Sequence, residues 1–391
     1  MDINRDRSVL IITNHYLDNK AGGTFASLGY IKAFASLFND CTLVYPDNGT
    51  NVMHLLPPGV KTIPVADTRS KWRKGLGIYY GILHRFTRRA SAIMLINKPD
   101  IIVFDTSIVS HPLIRLAKKM EIFPITIHHN VEYDYFRDNP PHLSYRFAYR
   151  FYLLKAEREA VRSSGLNLTL TDSDSIRLAE LYSPGKLNEI RTSGVFEPFQ
   201  KSSKNILESS PGKISGKDKF AISGNLSFPQ SDISTRKFIK KLWPIVRSCI
   251  PGCNLIITGK DPSVQLQQLC AVNPDIRLII NPENIERILI ECDVYICPVD
   301  RGSGFKLRTM DGLKLGMPVL AHEISARGYD HFTKAGYLLV YNSEESFESA
   351  VHKLIQNNFD RNKIQQLYTE SFSFEHGTTR LKNILEENYL I

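Results

Sequence analysis

Short β-rich apolar runs alternate with helical stretches along most of the chain, and this alternation constrains the fold more than any other feature. The first series contains SVLIIT (8–13), CTLVY (41–45), VKTIPV (60–65), DIIVFD (100–105), PITIHH (124–129), LNLTLT (166–171) and NEIRTS (188–193). Helical patterns fill most gaps, the first of them carrying Leu28, Ile31, Phe34 and Phe38. Residues 197–219 break the pattern, being rich in Ser, Lys, Gly and Pro, and read as a linker or surface excursion. A second series follows. Its strands are FAISG (220–224), CNLIITG (253–259), IRLII (276–280), DVYICPV (293–299) and PVLAH (318–322). Its helices are expected near 232–249, 263–271, 284–291 and 306–315, and the last stretch, 372–391, also looks helical. Strands alternating with helices predict parallel sheets covered on both faces. The expected fold class is α/β, with two doubly wound, Rossmann-like domains of similar size.

Composition narrows the function classes. The 391 residues carry 49 Lys and Arg against 40 Asp and Glu, a net charge of +9, which points to an anionic partner: nucleic acid, a membrane surface or a phosphorylated ligand. No apolar stretch approaches about 18 residues, so no bilayer-spanning helix is expected. The N-terminal apolar run lacks the small-residue cleavage site of a signal peptide. Six cysteines in so long a chain do not make a disulfide framework, and reduced, mostly buried cysteines in a cytoplasmic protein are expected. G-x-G-x-x-G and H-E-x-x-H are absent, and GKISGKD in the linker has the wrong spacing for a P-loop.

The most informative stretch is CPVDRGSGFKLRTMDGLKLGMPVLAH (297–322). Gly302 and Gly304 permit positive φ and close approach of backbone to a ligand. A helix is expected to start near Phe305 and to stop at Gly316 and Pro318. Lys306 and Arg308 then fall in the first turn, where cations oppose the helix dipole. A bound diphosphate would account for them through charge-assisted hydrogen bonds. Asp311 shares a face with Arg308 and could accept hydrogen bonds from a sugar diol. The alternative is a solvated turn with an Arg–Asp pair.

This segment resembles the donor-binding segment of retaining GT-B glycosyltransferases of the family 4 type. Gly302, Ser303, Gly304, Lys306, Gly316, Pro318 and Val319 match that pattern. Arg308 stands at the family lysine and Asp311 at the family glutamate that holds the nucleotide ribose. Gly312 replaces an alanine, and Ser303 stands where many members carry a further glutamate. SGNLSFPQSDISTRKFIKKLWPIV (223–246) resembles the opening of the family's second domain. There Gly224 and Asn225 would bring amides to the pyrophosphate, and Ser231 or Asp232 would cap the next helix. Pro282, in Asn281–Asn284, lies where backbone usually meets the base. In the first half, Gly22 and Gly23 read as a glycine loop facing the phosphates or acceptor. His128-His129-Asn130-Val131-Glu132 resembles the family's H-N-V-E, which places His129 near the reaction centre and His128 on the opposite, packing side.

The resemblance implies a GT-B fold with its two domains facing a central cleft. An acceptor-side domain would cover 1–196, the linker 197–219 and a nucleotide-sugar-binding domain 220–371. The helix at 372–391 would pack back on the first domain. It implies transfer of a sugar from a UDP- or GDP-sugar, with retention, to a glycan or lipid-linked acceptor in polysaccharide or glycoconjugate synthesis. The catalytic residues would be His129, Lys306 and Arg308. The donor would be bound by Gly22, Gly23, Gly224, Asn225, Pro282, Gly302, Gly304, Phe305 and Asp311. No permanently bound cofactor and no metal are expected, because cationic side chains replace magnesium. The alternatives are a non-catalytic GT-B subunit supporting a partner enzyme, or a GT-B nucleotide-sugar epimerase.

The segment 68–99 carries eight Lys and Arg, no Asp or Glu, and interleaved aromatic and aliphatic residues. It suits a peripheral contact with an anionic membrane on the inner face, or a surface helix packed on the sheet. Nucleic acid is the least expected of the anionic partners.

Overall fold

The computed structural model describes residues 6–18, 22–66, 85–138, 146–182, 189–198, 212–213, 218–302 and 304–391. The chain forms two compact units: Met1–Gln200 together with Phe372–Ile391, and Lys201–Ser371.

Unit 1 is built on seven strands: β1 (Ser8–Thr13), β2 (Asp40–Asp47), β3 (Lys61–Ala66), β4 (Ile101–Asp105), β5 (Phe123–His128), β6 (Leu166–Thr169) and β7 (Ile190–Thr192). All pairings are parallel, in the order β3-β2-β1-β4-β5-β6-β7. Val9 lies beside both Cys41 and Ile101, so β1 is central. The continuous apolar runs are explained by helices on both faces: all five residues of β4 are buried, as are the last five of β1. Strand order reverses between β1 and β4, and that reversal is where a doubly wound sheet opens a crevice at its carboxyl end.

The last helix, Phe374–Glu387, belongs to unit 1. It is capped by Ser373, whose Oγ accepts from the His376 amide. Its Arg380 guanidinium donates to the carbonyls of Ser193 (3.3 Å) and Val195 (3.4 Å). Gly377 lies so close to the Phe196 ring that any Cβ would collide with it.

Unit 2 repeats the plan with six parallel strands. They are β9 (Lys219–Asn225), β10 (Asn254–Lys260), β11 (Ile276–Ile280), β12 (Val294–Cys297), β13 (Val319–His322) and β14 (Leu338–Tyr341). Their order is β11-β10-β9-β12-β13-β14, so its reversal lies between β9 and β12. β8 (Gly212–Lys213) pairs antiparallel with β15 (Asn358–Phe359). The remainder of the expected linker, 199–211 and 214–217, lies outside the described residues.

Two local expectations are corrected. The single helix expected at 232–249 is two, Pro229–Lys241 and Trp243–Cys249. Pro244 has no amide hydrogen for a continuing helix, and the chain restarts at Leu242. Ser231 and Asp232 are therefore not caps but sit inside the first turn, where Asp232 accepts from Arg236 (2.8 Å) and Ser263 (2.6 Å). The six cysteines are free, five of them buried. Among the described residues, no helix is long and apolar enough to cross a membrane.

Candidate functional site

In unit 2 the reversal between β9 and β12 brings together the end of β9 and the loop 298–307. Gly224 adopts φ +127° within β9. Its missing side chain leaves the space that the Arg308 guanidinium occupies. Arg308 Nη2 donates to the Asn225 carbonyl at 2.7 Å, tying the loop side of the crevice to β9. The Asn225 side chain is engaged locally, accepting from the amide and hydroxyl of Ser227 at 3.0 and 2.6 Å.

Asp311 is held from the same strand: Ser223 Oγ donates to its Oδ2 at 3.0 Å and shares a 2.8 Å hydrogen bond with the Tyr295 hydroxyl. Burial, with the Asp311 charge beside it, pushes the Tyr295 phenol well above its usual pKa, so it stays a neutral hydroxyl. Gly312 follows from the same packing, because a Cβ there would strike the Tyr295 side chain.

The loop itself is irregular. Gly302 and Gly304 have φ of +89° and +75°. A Cβ at Gly302 would meet Gln230 Oε1 at 2.7 Å and come within 3.4 Å of Lys306 Nζ. The helix expected from Phe305 begins only at Arg308 and ends at Lys314. Tyr329 explains the delay: its hydroxyl donates to the Lys306 carbonyl at 2.8 Å and its ring stacks on Phe305 with centroids 4.5 Å apart. Thr309 and Ser325 lock the base of the loop through hydrogen bonds to Ser325 O (3.0 Å) and Val299 O (2.8 Å). Lys306 thus precedes the helix and Arg308 opens it, both half-buried. Pro282 follows β11 at the same, carboxyl end of the sheet, two strands from β9. Ser303 lies outside the described residues.

Asp300 was not singled out by sequence. It accepts from Lys237 (2.7 Å), Ser234 (2.8 Å) and Arg301 (3.2 Å). Burial alone would raise its pKa, but these donors hold it down to about 2. It anchors the start of the loop and borders a cavity of about 330 Å³ that also touches His322 and Tyr341. Lys306, Arg308 and Asp311 do not line that cavity.

In unit 1 the reversal between β1 and β4 gathers a second constellation. His129 follows β5 and is buried, with Nε2 2.6 Å from Asp105 Oδ1. Asp105, the last residue of β4, is 1% exposed, and its other oxygen accepts from Thr13 Oγ1 at 2.6 Å. His15, just beyond β1, stacks on His129 with ring centroids 5.3 Å apart. Burial lowers the pKa of His15, which the Asp105 charge partly offsets. Burial would raise that of Asp105, but the His129 charge and hydrogen bond outweigh it and hold the carboxyl well below the usual range. His15 Nε2 and His129 Nδ1 are buried without a hydrogen-bond partner.

The glycine loop expected at Gly22 and Gly23 is instead the first turn of the helix Gly22–Leu37. Gly23 is needed there because a Cβ would approach the His15 ring to 2.7 Å. His128 points away and bonds Asn167 Oδ1 at 3.0 Å, as strand alternation requires.

Of the residues expected on sequence grounds, the structure thus brings Gly224, Asn225, Arg308 and Asp311 together around the end of β9 and sets Gly302 against Lys306 and Gln230. It groups His129 and Gly23 with Asp105, His15 and Thr13, which sequence reasoning missed. Two groups among the described residues have ligand-type atoms within 4.8 Å of one another and could hold a metal ion. They are His15 with Asp105 and His129, and the more exposed Cys249 with Glu348 and His352.

Two doubly wound parallel-sheet units, each with its polar constellation at the strand-order reversal, are the GT-B fold. Residues 218–357, within the second unit, match the model of the family described as glycosyl transferases group 1. Solved structures agree on the fold. HepE of Anabaena in complex with UDP is 13% identical, with 97% of this chain and 100% of that one covered at a TM-score of 0.66. Sucrose-phosphate synthase of Thermosynechococcus elongatus is 12% identical over 98% and 99%, with a TM-score of 0.67. The lipopolysaccharide outer core galactosyltransferase WaaB is 10% identical over 97% and 99%, with a TM-score of 0.67. No curated protein matches the sequence significantly.

Proposed function

We propose that this protein is a retaining glycosyltransferase of the family 4 type. It moves a sugar from a UDP- or GDP-sugar to a glycan or lipid-linked acceptor in surface polysaccharide or glycoconjugate synthesis. The observation that carries this reading is the Arg308–Asn225 and Asp311–Ser223 network at the unit 2 reversal, within the stretch that matches the glycosyl transferases group 1 model. HepE, a protein of the same fold, is seen with UDP and with UDP-glucose.

Lys306 and Arg308 meet the charge that develops on the diphosphate as the glycosidic bond breaks. The helix behind them has only seven residues, so its dipole adds little and the two cations carry the stabilisation. No metal is needed for that charge. Asp311, held by Ser223, accepts from the ribose hydroxyls. Gly224 lets the Arg308 guanidinium lie against the end of β9, Gly302 and Gly304 let the nucleotide approach the backbone, Phe305 shapes that surface, and Pro282 lies toward the base. In unit 1, His129 orients the reacting sugar, and Gly22 and Gly23 serve the substrate side of that unit. A donor phosphate oxygen takes the acceptor proton on the face the leaving group departs from, which preserves configuration.

The basic segment 68–99 brings the enzyme to an anionic membrane surface from the cytoplasmic side. Residues 68–84 of it lie outside the described residues. In the helix Arg85–Asn97, Arg88 and Arg89 are exposed and so are Leu95 (49%) and Ile96 (80%), the mixture of cation and apolar surface that suits a lipid headgroup layer.

The test is a thermal-shift panel of UDP, GDP, ADP and their sugars, followed by mass spectrometry of products and NMR of the new anomeric centre. Stabilisation by one nucleotide and an α product from an α donor are expected. A chain that no nucleotide stabilises is a non-catalytic subunit. Isomerised donor without transfer would make it an epimerase.

A further inference from the structure

We infer that Cys249, Glu348 and His352 form a surface binding site for a divalent metal ion of the zinc class, which ties two helices of unit 2 together. The inference does not depend on glycosyl transfer, and the site lies apart from the crevice. Helix Trp243–Cys249 leads into the amino end of β10, whereas the crevice opens at the carboxyl ends of the strands.

The placement follows from the helices. Glu348 and His352 are four residues apart on the helix Glu344–Gln356, so their side chains share one face. The opposite face fixes that helix: Phe347, Ala350, Val351 and Leu354 are buried, and Ser343 and Ser346 form a capping box at its start. Cys249 is the last residue of the helix packed against it, whose Trp243 and Val246 are buried. One sulfur, one imidazole nitrogen and one carboxylate oxygen thus lie within 4.8 Å of one another. Tetrahedral zinc, with about 2.3 Å to sulfur and about 2.0–2.2 Å to nitrogen and oxygen, separates its ligand atoms by about 3.3–3.6 Å. Glu348 and His352 are exposed, so both can turn toward the sulfur and close that gap without repacking the core.

Donor chemistry selects the ion. A thiolate, an imidazole and a carboxylate suit zinc, and the sulfur disfavours magnesium and calcium. The thiolate and the carboxylate together neutralise a doubly charged cation. Three protein ligands leave the fourth position to water. Two observations set these residues apart from ordinary surface groups. Cys249 is the one cysteine of the six that is not buried. Among the described residues, no Lys or Arg pairs with Glu348 and no hydrogen bond holds the Cys249 or His352 side chain, so no protein group competes with a metal. On binding, the Cys249 sulfur bonds the ion as a thiolate and its proton passes to the buffer. The ion then clamps the end of one helix to the middle of the other.

The experiment uses the full chain in a thiol-free reductant, stripped with chelator and titrated with Zn²⁺ by calorimetry and with Co²⁺ by absorption. One ion per chain, a thiolate-to-Co²⁺ charge-transfer band and a raised Tm are expected. Zn²⁺ should also protect Cys249 of the native chain from a thiol reagent, mapped by mass spectrometry. Cys249→Ser and His352→Ala should each weaken binding by at least about 10-fold, since even the outer partners of a metal site are worth that much. The serine should also abolish the band. His331→Ala, an exposed histidine elsewhere in unit 2, should leave binding unchanged. Folding of each variant is checked by circular dichroism. Absence of binding to the wild-type chain, a Co²⁺ spectrum without the thiolate band, or binding that survives in folded Cys249→Ser or His352→Ala would overturn the inference. If either variant fails to fold, protection of Cys249 in the wild-type chain decides the matter.

Discussion

The two units solve one problem in different ways. Each opens a crevice where strand order reverses, and each fills it with polar side chains. In unit 2 the residues are clustered in sequence: Gly302 to Asp311 span one loop and one helix, and β9 supplies Gly224, Asn225 and Ser223 as their supports. In unit 1 the residues are dispersed. Thr13 and His15, Asp105 and His129 come from three strand ends more than 100 positions apart at the extremes. Unit 2 offers Lys306 and Arg308, a set suited to an anion. Unit 1 offers a buried carboxylate and imidazoles, a set suited to hydroxyls or protons. The difference teaches that strand order dictates where a ligand goes, while the side chains at that place dictate what it is.

Four expected outcomes test that contrast, starting with the largest. Arg308→Ala should cut turnover by about 100-fold or more while leaving circular dichroism unchanged. Intact activity would remove the diphosphate from this crevice.

The second concerns pH and unit 1 alone. Glu157 is fully buried and accepts from the Glu132 amide (2.6 Å) and the Tyr182 hydroxyl (2.6 Å). Burial raises its pKa from the ordinary 4.5 to about 7, those hydrogen bonds pulling the other way. The folded state therefore binds the proton more tightly than the unfolded chain. Its contribution is fully present below pH 4.5 and is lost as pH rises to about 7. Glu157→Gln should reduce that slope by on the order of 3 kcal/mol in urea melts followed across this range, the remainder belonging to Glu132, whose pKa burial and the Glu157 charge raise to about 8. An unchanged slope would show that Glu157 does not titrate there.

The third pairs the units. Gly312→Ala in unit 2 and Gly377→Ala in unit 1 each insert a methyl against a packed ring, Tyr295 and Phe196 respectively. Each should cost about 1–3 kcal/mol by overpacking, although Ala is favoured over Gly by about 1 kcal/mol in an open helix. Stabilisation at 312, where the resembling family carries alanine, would mean that Tyr295 has room to move.

The smallest effect belongs to the membrane face. Replacing Arg88 and Arg89 by Gln should weaken binding to anionic vesicles by about 1 kcal/mol per charge and leave nucleotide binding unaltered. Vesicle binding that ignores both changes would move the contact elsewhere.

Much of this was legible in the chain. Strands 8–13, 276–280 and 319–322 lie within a residue of where apolar runs put them, because a short run rich in Ile, Leu and Val bounded by turn residues favours extended chain. Gly302 and Gly304 were legible as positive-φ positions. The break at Leu242 and the late start of the helix at Arg308 were harder to see. They follow from one proline and from a hydroxyl, Tyr329, that arrives from 23 positions downstream. Asp105 closed the apolar run DIIVFD, and His15 lay two residues beyond SVLIIT with no pattern to mark it.

The sequence by itself determined the alternation of elements, the two series, and the charged segment 302–311, since each is a local pattern. Only the tertiary structure decided that β1 lies between β2 and β4 and that β9 lies between β10 and β12. Those neighbours are chosen by hydrogen bonding between distant segments, which leaves no periodic trace in either one. That choice sets His15 and His129 against Asp105, and Arg308 against Asn225.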